Sequence, residues 1–508
     1  MKILNAKELA EVDENTIKKQ NISSWDLMER AAKKAFESMK SYTSSKQQCI
    51  HIFAGIGNNG GDGLAIAYFL TQENNNVKVY LVEYADSKSD DNAKNFERLE
   101  SKTKLEIISV SDENFQIELN PNDFCIDSIF GFGLNRPMPD FVQKLIKEIN
   151  QSQTFRIAID VPSGVYLDRI PKEDEEIFNA DLTLTFQLPK LPFFLPQVGF
   201  NVGKLEIIDI GLDQETIDSI EAKVEYLNQN LASTYVQKRS RFSHKGTFGH
   251  ALIIGGSRYM LGSVILSASS CMRSGVGKTS VLMPKIGHQN MINHRPEVML
   301  VPHESEDFIS EKNLDFEPNA IGIGVGISME SEAETALKFW LENSKKPMVI
   351  DADALNLISE NESLLQLIPK NSILTPHPGE LKRLIGNWSD DFDKIEKIKS
   401  FSKKFQLIIL AKDSFSICVN GDEVFVNSTG NSGMATAGSG DVLMGLITSL
   451  LAQNYEPKSA AVLGMYLHGL AGNLAARVTS EESLVASDLI DYFGLAFSEI
   501  KPRTNVKK

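Results

Sequence analysis

Short, mostly apolar runs that alternate with helical patterns recur along this chain, and no other feature constrains its fold as strongly. Residues 50–54, 77–83, 124–129 and 155–160 form one such series. A strand covered on both faces needs no polar side, and parallel neighbours need a helical crossover between them. The spacing therefore predicts a doubly wound, Rossmann-like α/β layer. A second series at 251–255, 279–283, 320–323, 348–351, 372–375 and 407–411 predicts a second α/β domain. Between them, around 212–237, the strand signal fades into a stretch rich in Gln, Glu, Asp and Asn. We read domains at 1–212 and 237–508 with a linker at 213–236, a division that suits a 508-residue chain too long for one core. The halves share no register of repeated motifs.

Composition limits the function classes. A formal net charge of -15 disfavours nucleic acid and anionic membrane surfaces as partners. The basic end, Lys501, Arg503, Lys507 and Lys508, reads as a solvated tail. Cys49, Cys125, Cys271 and Cys418 are far apart and lack C-x-x-C spacing, which indicates neither a disulfide framework nor a zinc site. Residues 1–15 lack the apolar core of a signal peptide, and no run approaches the ~18 apolar residues that span a bilayer. The expected location is cytoplasmic, and a homo-oligomer is expected.

The first series carries a glycine-rich turn, AGIGNNGGDGL at 54–64, between a strand and an apolar helix. Glycines there let backbone approach a phosphate at a helix N-terminus. Gly55, Gly57 and Gly60 also spell G-x-G-x-x-G with Glu83 ending the next strand, so an ordinary dinucleotide-binding unit stays open. DSIFGFGL at 127–134 and IDVPSG at 159–164 are two further polar strand ends. Ligands collect at the carboxyl ends of parallel strands, so one shared site is the economical reading.

These three segments resemble the YjeF N-terminal family, the NAD(P)H-hydrate epimerases, over about residues 1–212. The resemblance implies a potassium ion held by Asn59, Asp127 and Ser163. It implies that the hydrated nicotinamide nucleotide meets Asn58, Asn59, Gly60, Gly61 and Asp62, then Gly131, Phe132, Gly133, Leu134, Asn135, Arg136 and Pro137, and finally Asp160. Phe132 stands where the family usually has a small hydroxyl residue, which removes a side-chain contact to phosphate and leaves the backbone contact. The hydrate carries a hemiaminal at C6 that inverts by ring opening and reclosure, with Asp160 as the candidate acid or base.

The second series ends in NSGMATAGSGD at 431–441, running into an apolar helix at Val442. Its small residues can form an anion hole of backbone N–H groups, and Asp441 is either a catalytic base or a helix cap. SGVGKT at 274–279 imitates a Walker A loop, but the first glycine falls at Met272 and the motif fails. His377, between Pro376 and Pro378, is a structural histidine or a ligand contact.

HKGTFGHALIIGGS, IGIGVG, DADALN, LTPHPGE and TAGSGD together resemble the NAD(P)H-hydrate dehydratases, of ribokinase-like fold, over about 237–497. The resemblance implies that Gly326, His377 and Asp441 touch the hydrate, with Ser263 at a substrate position the family usually gives to alanine. Lys412, Asp413, Ser414, Phe415, Ser416 and Gly440 would bind the nucleotide; Asp413 replaces a customary glycine, which tilts the loop or lowers affinity. The implied chain is bifunctional. It interconverts the R and S hydrates of NADH and NADPH and dehydrates the S form with ADP or ATP and Mg2+, giving AMP and phosphate from ADP. Fusion of both domains resembles the bacterial arrangement, which favours ADP. A vitamin-precursor kinase and a noncatalytic first half are the rival readings.

Overall fold

The computed structural model describes residues 1–43 and 48–501, so Arg503, Lys507 and Lys508 of the basic tail lie outside the described residues. The chain divides into two compact units: residues 2–222 with 390–392, and Met1 with 223–389 and the chain from Asp393 onward.

The first unit is built on a seven-stranded sheet: β1 (Cys49–Gly55), β2 (Asn76–Val82), β3 (Ile107–Val110), β4 (Phe124–Ser128), β5 (Phe155–Ile159), β6 (Leu182–Phe186) and β7 (Lys204–Ile208). Their order is β3-β2-β1-β4-β5-β6-β7, and every neighbouring pair is parallel. β1 is buried at every residue, as its apolar run predicts. β3, β6 and β7 are not among the strands that the apolar runs predict. β3 and β7 are partly exposed edge strands, and β6 reads Leu-Thr-Leu-Thr-Phe with both threonines fully buried. The chain leaves β1 towards β2 and β3, then returns to β4 on the other side, which opens a crevice at the strand ends.

Helices cover this sheet through apolar stripes. In Asp140–Gln151, Val142, Leu145, Ile146 and Ile149 are all fully buried, the spacing of one helix face. Each such side chain contributes roughly 1.5–3 kcal/mol over its exposed state.

In the second unit, His250–Ile254 pairs in parallel with Lys278–Leu282 and Ala320–Ile323. Met348–Ile350, Ile373–Leu374 and Ile408–Ala411 extend the sheet, all parallel. The sheet then turns antiparallel through Ile417–Asn420 and Glu423–Asn427, a hairpin outside the strands the apolar runs predict. The helix Ser439–Ala452 is buried around nearly its whole circumference, as expected for an element at the centre of a core. It packs tightly on Leu261–Arg273, where a Cβ on Gly445 would lie 2.0 Å from the Ser267 carbonyl oxygen.

The stretch 213–236, read above as a linker, is ordered. It holds the helix Gln214–Ser219, the strand Val224–Leu227 and the helix Gln229–Tyr235. The strand joins the second unit's sheet beside Glu423–Asn427, and the division between units falls after Ala222. Its polar composition hides a half-buried strand of only four residues. Among the described residues, no helix is long and apolar enough to cross a membrane, and all four cysteines are buried and free.

Candidate active sites

The crevice between β1 and β4 is a cavity of about 570 Å³. Gly57, Asn58, Asn59 and Asp62 line one part, Ile129 to Arg136 another, and Asp160 closes the end of β5. The structure thus brings together most of the residues named from the first three motifs. Pro137 lies just past the lining run. Gly60 and Gly61 are taken up by packing: a Cβ on Gly60 would sit 1.8 Å from the Gly55 carbonyl oxygen, and one on Gly61 would sit 2.7 Å from Met28 Sδ. Gly55 and Gly63 press equally close to Ile129 and Ser128. These glycines let the helix Asn58–Gln72 seat against the strands, and of them only Gly57, where a Cβ would meet nothing nearer than the Tyr84 hydroxyl at 3.5 Å, faces the crevice. Glu83, the acidic residue of the rival dinucleotide reading, is engaged by Lys88 at 3.3 Å and by the Ser109 hydroxyl.

Asn59, Asp127 and Ser163 are joined through one loop residue, Phe130. Asn59 Nδ2 donates to its carbonyl at 2.8 Å, and its N–H donates to Ser163 Oγ at 2.9 Å. Ser163 in turn donates its hydroxyl and its N–H to the two oxygens of Asp127, each at 2.7 Å. Asp127 is fully buried, and burial pushes its carboxyl up to about 6 against the pull of the Ser163 donors. Among the described residues, no group of three or more His, Cys, Asp and Glu side chains is placed to hold a metal ion.

Asp160 sits in the left-handed region, φ 62°, which aims its side chain back at the sheet end. Its Oδ1 accepts from Lys190 Nζ at 2.5 Å, from the Phe186 N–H at 3.1 Å and from Thr185 Oγ1 at 3.3 Å. Lys190 is only 2% exposed and is absent from the residues the motifs single out. A lysine inside a Pro-rich, apolar stretch is the available signal, since a buried ammonium requires a carboxylate partner. Asp13 and Asp91 lie outside the motifs as well and line the same cavity. Burial, then the negative charge of Asp160, pushes Asp13 up to about 6, while Lys190 opposes the rise.

In the second unit, the helix carrying Asp441 begins earlier than expected, at Ser439, with Gly438 as its cap at φ 89°. Asp441 therefore lies within the first turn and is not the cap. Burial and the charge of Asp351 push its carboxyl up to about 6; a hydrogen bond from the Ser263 hydroxyl and the charge of Lys412 pull the other way. Lys412 Nζ donates to Asp351 Oδ1 at 2.8 Å and lies 4.0 Å from Glu380 Oε2. A Cβ on Gly440 would lie 3.2 Å from Lys412 Nζ, so glycine keeps that approach open. Glu380 is pushed up to about 7 by burial, with Lys412 opposing. Gly326, at φ 64°, packs beside Ser263, whose Cβ lies 3.3 Å from where a Gly326 Cβ would be. Ser263, Gly326, Lys412, Gly440 and Asp441 thus converge with Asp351 and Glu380, whose segments were quoted from sequence without a role for either residue.

His377 caps the helix Pro378–Ile385: its Nδ1 accepts from the N–H groups of Gly379 at 3.0 Å and Glu380 at 3.4 Å. Its side chain is half exposed. The segment 412–416 connects the strand Ile408–Ala411 to its antiparallel neighbour Ile417–Asn420. Asp413 Oδ1 accepts from the Ser414 N–H at 2.9 Å and Oδ2 from Lys394 at 3.3 Å, so the residue that replaces glycine is held in an ion pair. Ser416 Oγ is 3.5 Å from the Asp413 N–H, and Phe415 is partly exposed. Lys278 begins a strand and not a helix, which bears out the rejection of a Walker A loop.

A family described as the YjeF-related protein N-terminus matches residues 24–191, and one described as NAD(P)H-hydrate dehydratase matches residues 251–493. The bifunctional NAD(P)H-hydrate repair enzyme of Dictyoglomus turgidum is 31% identical, with the whole of each chain covered. The ADP/ATP-dependent NAD(P)H-hydrate dehydratase of Bacillus subtilis, crystallised with ATP and Mg2+, is 27% identical, covering 55% of this chain and 99% of that one at a TM-score of 0.48. The corresponding repair enzyme of Moorella thermoacetica is 31% identical across 97% of this chain and 96% of its own, and the present chain belongs to the family of bifunctional NAD(P)H-hydrate repair enzymes.

Proposed function

We propose that residues 1–212 interconvert the R and S hydrates of NADH and NADPH, and that residues 237–508 dehydrate the S form with the magnesium salt of ADP or ATP. The observation that carries this reading is the full-length likeness to bifunctional repair enzymes, with a separate polar site in each unit. We place the enzyme in the cytoplasm as a homo-oligomer.

In the first unit the hydrate occupies the crevice, against Asn58, Asn59, Asp62, the backbone of 131–137 and Asp160. Asp160 moves the proton of the C6 hydroxyl, and its ion pair with Lys190 holds the carboxylate at the strand end. Asn59, Asp127 and Ser163 fit a potassium ion: Asn59 spends only its Nδ2 on Phe130, and the donors are oxygens with a single carboxylate, which suits a hard monovalent cation. These residues would thereby place a positive charge near the substrate phosphates.

In the second unit Asp441 takes the C6 hydroxyl proton and the oxygen attacks the terminal phosphoryl group of the nucleotide. Lys412, Gly440 and the loop 413–416 hold the nucleotide, with Ser263, Gly326 and His377 along the hydrate. Phosphate, a far better leaving group than hydroxide, then departs from C6 as a proton leaves C5. NADH or NADPH, AMP and phosphate result when ADP is used.

Incubation with both hydrate epimers, ADP or ATP, Mg2+ and K+, followed by dihydronicotinamide absorbance, tests the whole reading. Full recovery of the cofactor supports both activities. Recovery that halts at one epimer removes the epimerase, and accumulation of a stable phosphorylated product marks a kinase instead.

A further inference from the structure

Asp62 lies in the fifth position of the helix Asn58–Gln72, beyond the N–H groups a side chain can cap, and lines the crevice. It is 9% exposed, and its Oδ1 is buried without a hydrogen-bond partner. A buried carboxyl oxygen with no partner is costly unless a ligand meets it or the group is protonated. No packing role accounts for it, because nothing in the fold uses that oxygen.

Its surroundings favour the protonated form. Asp13 faces it from the helix Ala6–Gln20, Asp91 from Asp90–Lys102, and Asp160 from the end of β5. The cations nearby are spoken for: Lys94 pairs with Asp91 at 3.0 Å and Lys190 with Asp160. Arg136 and Tyr84 line other parts of the cavity, and Met28 is what the helix Ser24–Met39 sets against this segment. Burial first, then these three acidic neighbours, push the Asp62 carboxyl well above the usual carboxylate range. Asp160, with an ammonium on its Oδ1, is differently served.

Inversion at C6 needs two groups in opposite protonation states. Taking the hydroxyl proton turns the C6–O bond into a carbonyl and breaks the C6–N1 bond, whose electron pair passes to N1 and must receive a proton. We propose, on the reading of this unit as an epimerase, that Asp62 is the acid that protonates N1 while Asp160 takes the hydroxyl proton. After rotation about C5–C6, N1 attacks the other face of the carbonyl. The oxygen recovers its proton from Asp160 and N1 returns its proton to Asp62, so atoms and charge balance without a co-reactant.

The test uses the full-length protein without nucleotide, so that dehydration is silent, and follows interconversion of each purified epimer of NADH hydrate by chromatography. Asp62→Asn, which keeps size and a hydrogen-bond donor, should slow interconversion by about 10²-fold or more with the KM for the hydrate changed only a few-fold. The wild-type rate should fall on the alkaline side as Asp62 loses its proton, and this limb should be absent from the residual activity of the variant. Interconversion by Asp62→Asn within about threefold of wild type, or a wild-type profile flat through the alkaline range, overturns the proposal even while Asp160→Asn remains slow. Should the variant fail to fold, the wild-type profile decides alone. Failure of the wild type to interconvert the epimers at all overturns the epimerase reading itself.

Discussion

The two units bury their central carboxylates in different company. In the first, Asp160 shares a crevice with Asp13, Asp62 and Asp91, and a single buried lysine holds it. In the second, Asp441 stands in the first turn of a buried helix, and the nearby Lys412 bonds to Asp351. Crowded acids that are unequally served by cations favour different proton affinities in neighbouring groups, which suits moving protons on a ring. A helix N-terminus with a lysine beside it presents positive charge to a phosphoryl group, which is what transfer from a nucleotide requires. One chain therefore separates proton traffic from phosphate traffic, and the separation is open to experiment.

The largest effect is expected from Asp441→Asn, which should lower dehydration by about 10³-fold or more while interconversion of the epimers stays at the wild-type rate. Comparable turnover in the variant, measured with the S epimer and ADP, would remove Asp441 from the chemistry and break the contrast at once. Asp160→Asn sharpens it from the other side. With a mixture of epimers, we expect fast consumption of the S form and then a stall, with interconversion slowed by about 10²-fold. A progress curve that superimposes on wild type would dismiss Asp160.

Acidity offers a graded comparison. Asp441 must be ionised to act as a base, and burial pushes its carboxyl up to about 6. Dehydration kcat/KM should therefore hold steady at neutral pH and fall about tenfold per unit as the pH drops below about 6. A profile level down to pH 4.5 would contradict that environment. Lys412→Ala should then weaken nucleotide binding by roughly tenfold, through loss of one charge-assisted contact and release of a buried Asp351, with epimer interconversion untouched. Unchanged nucleotide affinity by calorimetry would take Lys412 out of the site.

His377 gives the smallest effect. His377→Ala should cost about 1 kcal/mol of stability through the lost helix cap, and His377→Asn should restore most of it. Both should raise the KM for the hydrate a few-fold. Should the asparagine variant restore KM along with stability, the histidine would be a cap and nothing more.

Much of this molecule follows from local pattern. Short apolar runs such as 50–54 and 320–323 read as strands buried on both faces because they are short and spaced by helical patterns, which also points to parallel sheets, and both are strands buried at every residue. The segments that carry Asn59, Asp127, Asp160 and Asp441 are legible because polar residues beside glycine at strand ends and helix starts have few packing explanations, whereas the potassium role of Asn59 and Asp127 is implied only by the family resemblance. Other features belong to the assembled chain. The glycines of 55–63 looked like a phosphate cradle, and most are there because helix and strand backbones approach within contact, a distance that exists only after folding. The partners of Lys190 and Lys412 are not local: Asp160 lies thirty residues away and Asp351 sixty-one. Burial is a property of neighbours that the chain brings in from afar. Only tertiary structure can decide which carboxylate receives a cation, and which, like Asp62, is left with a buried oxygen and no partner.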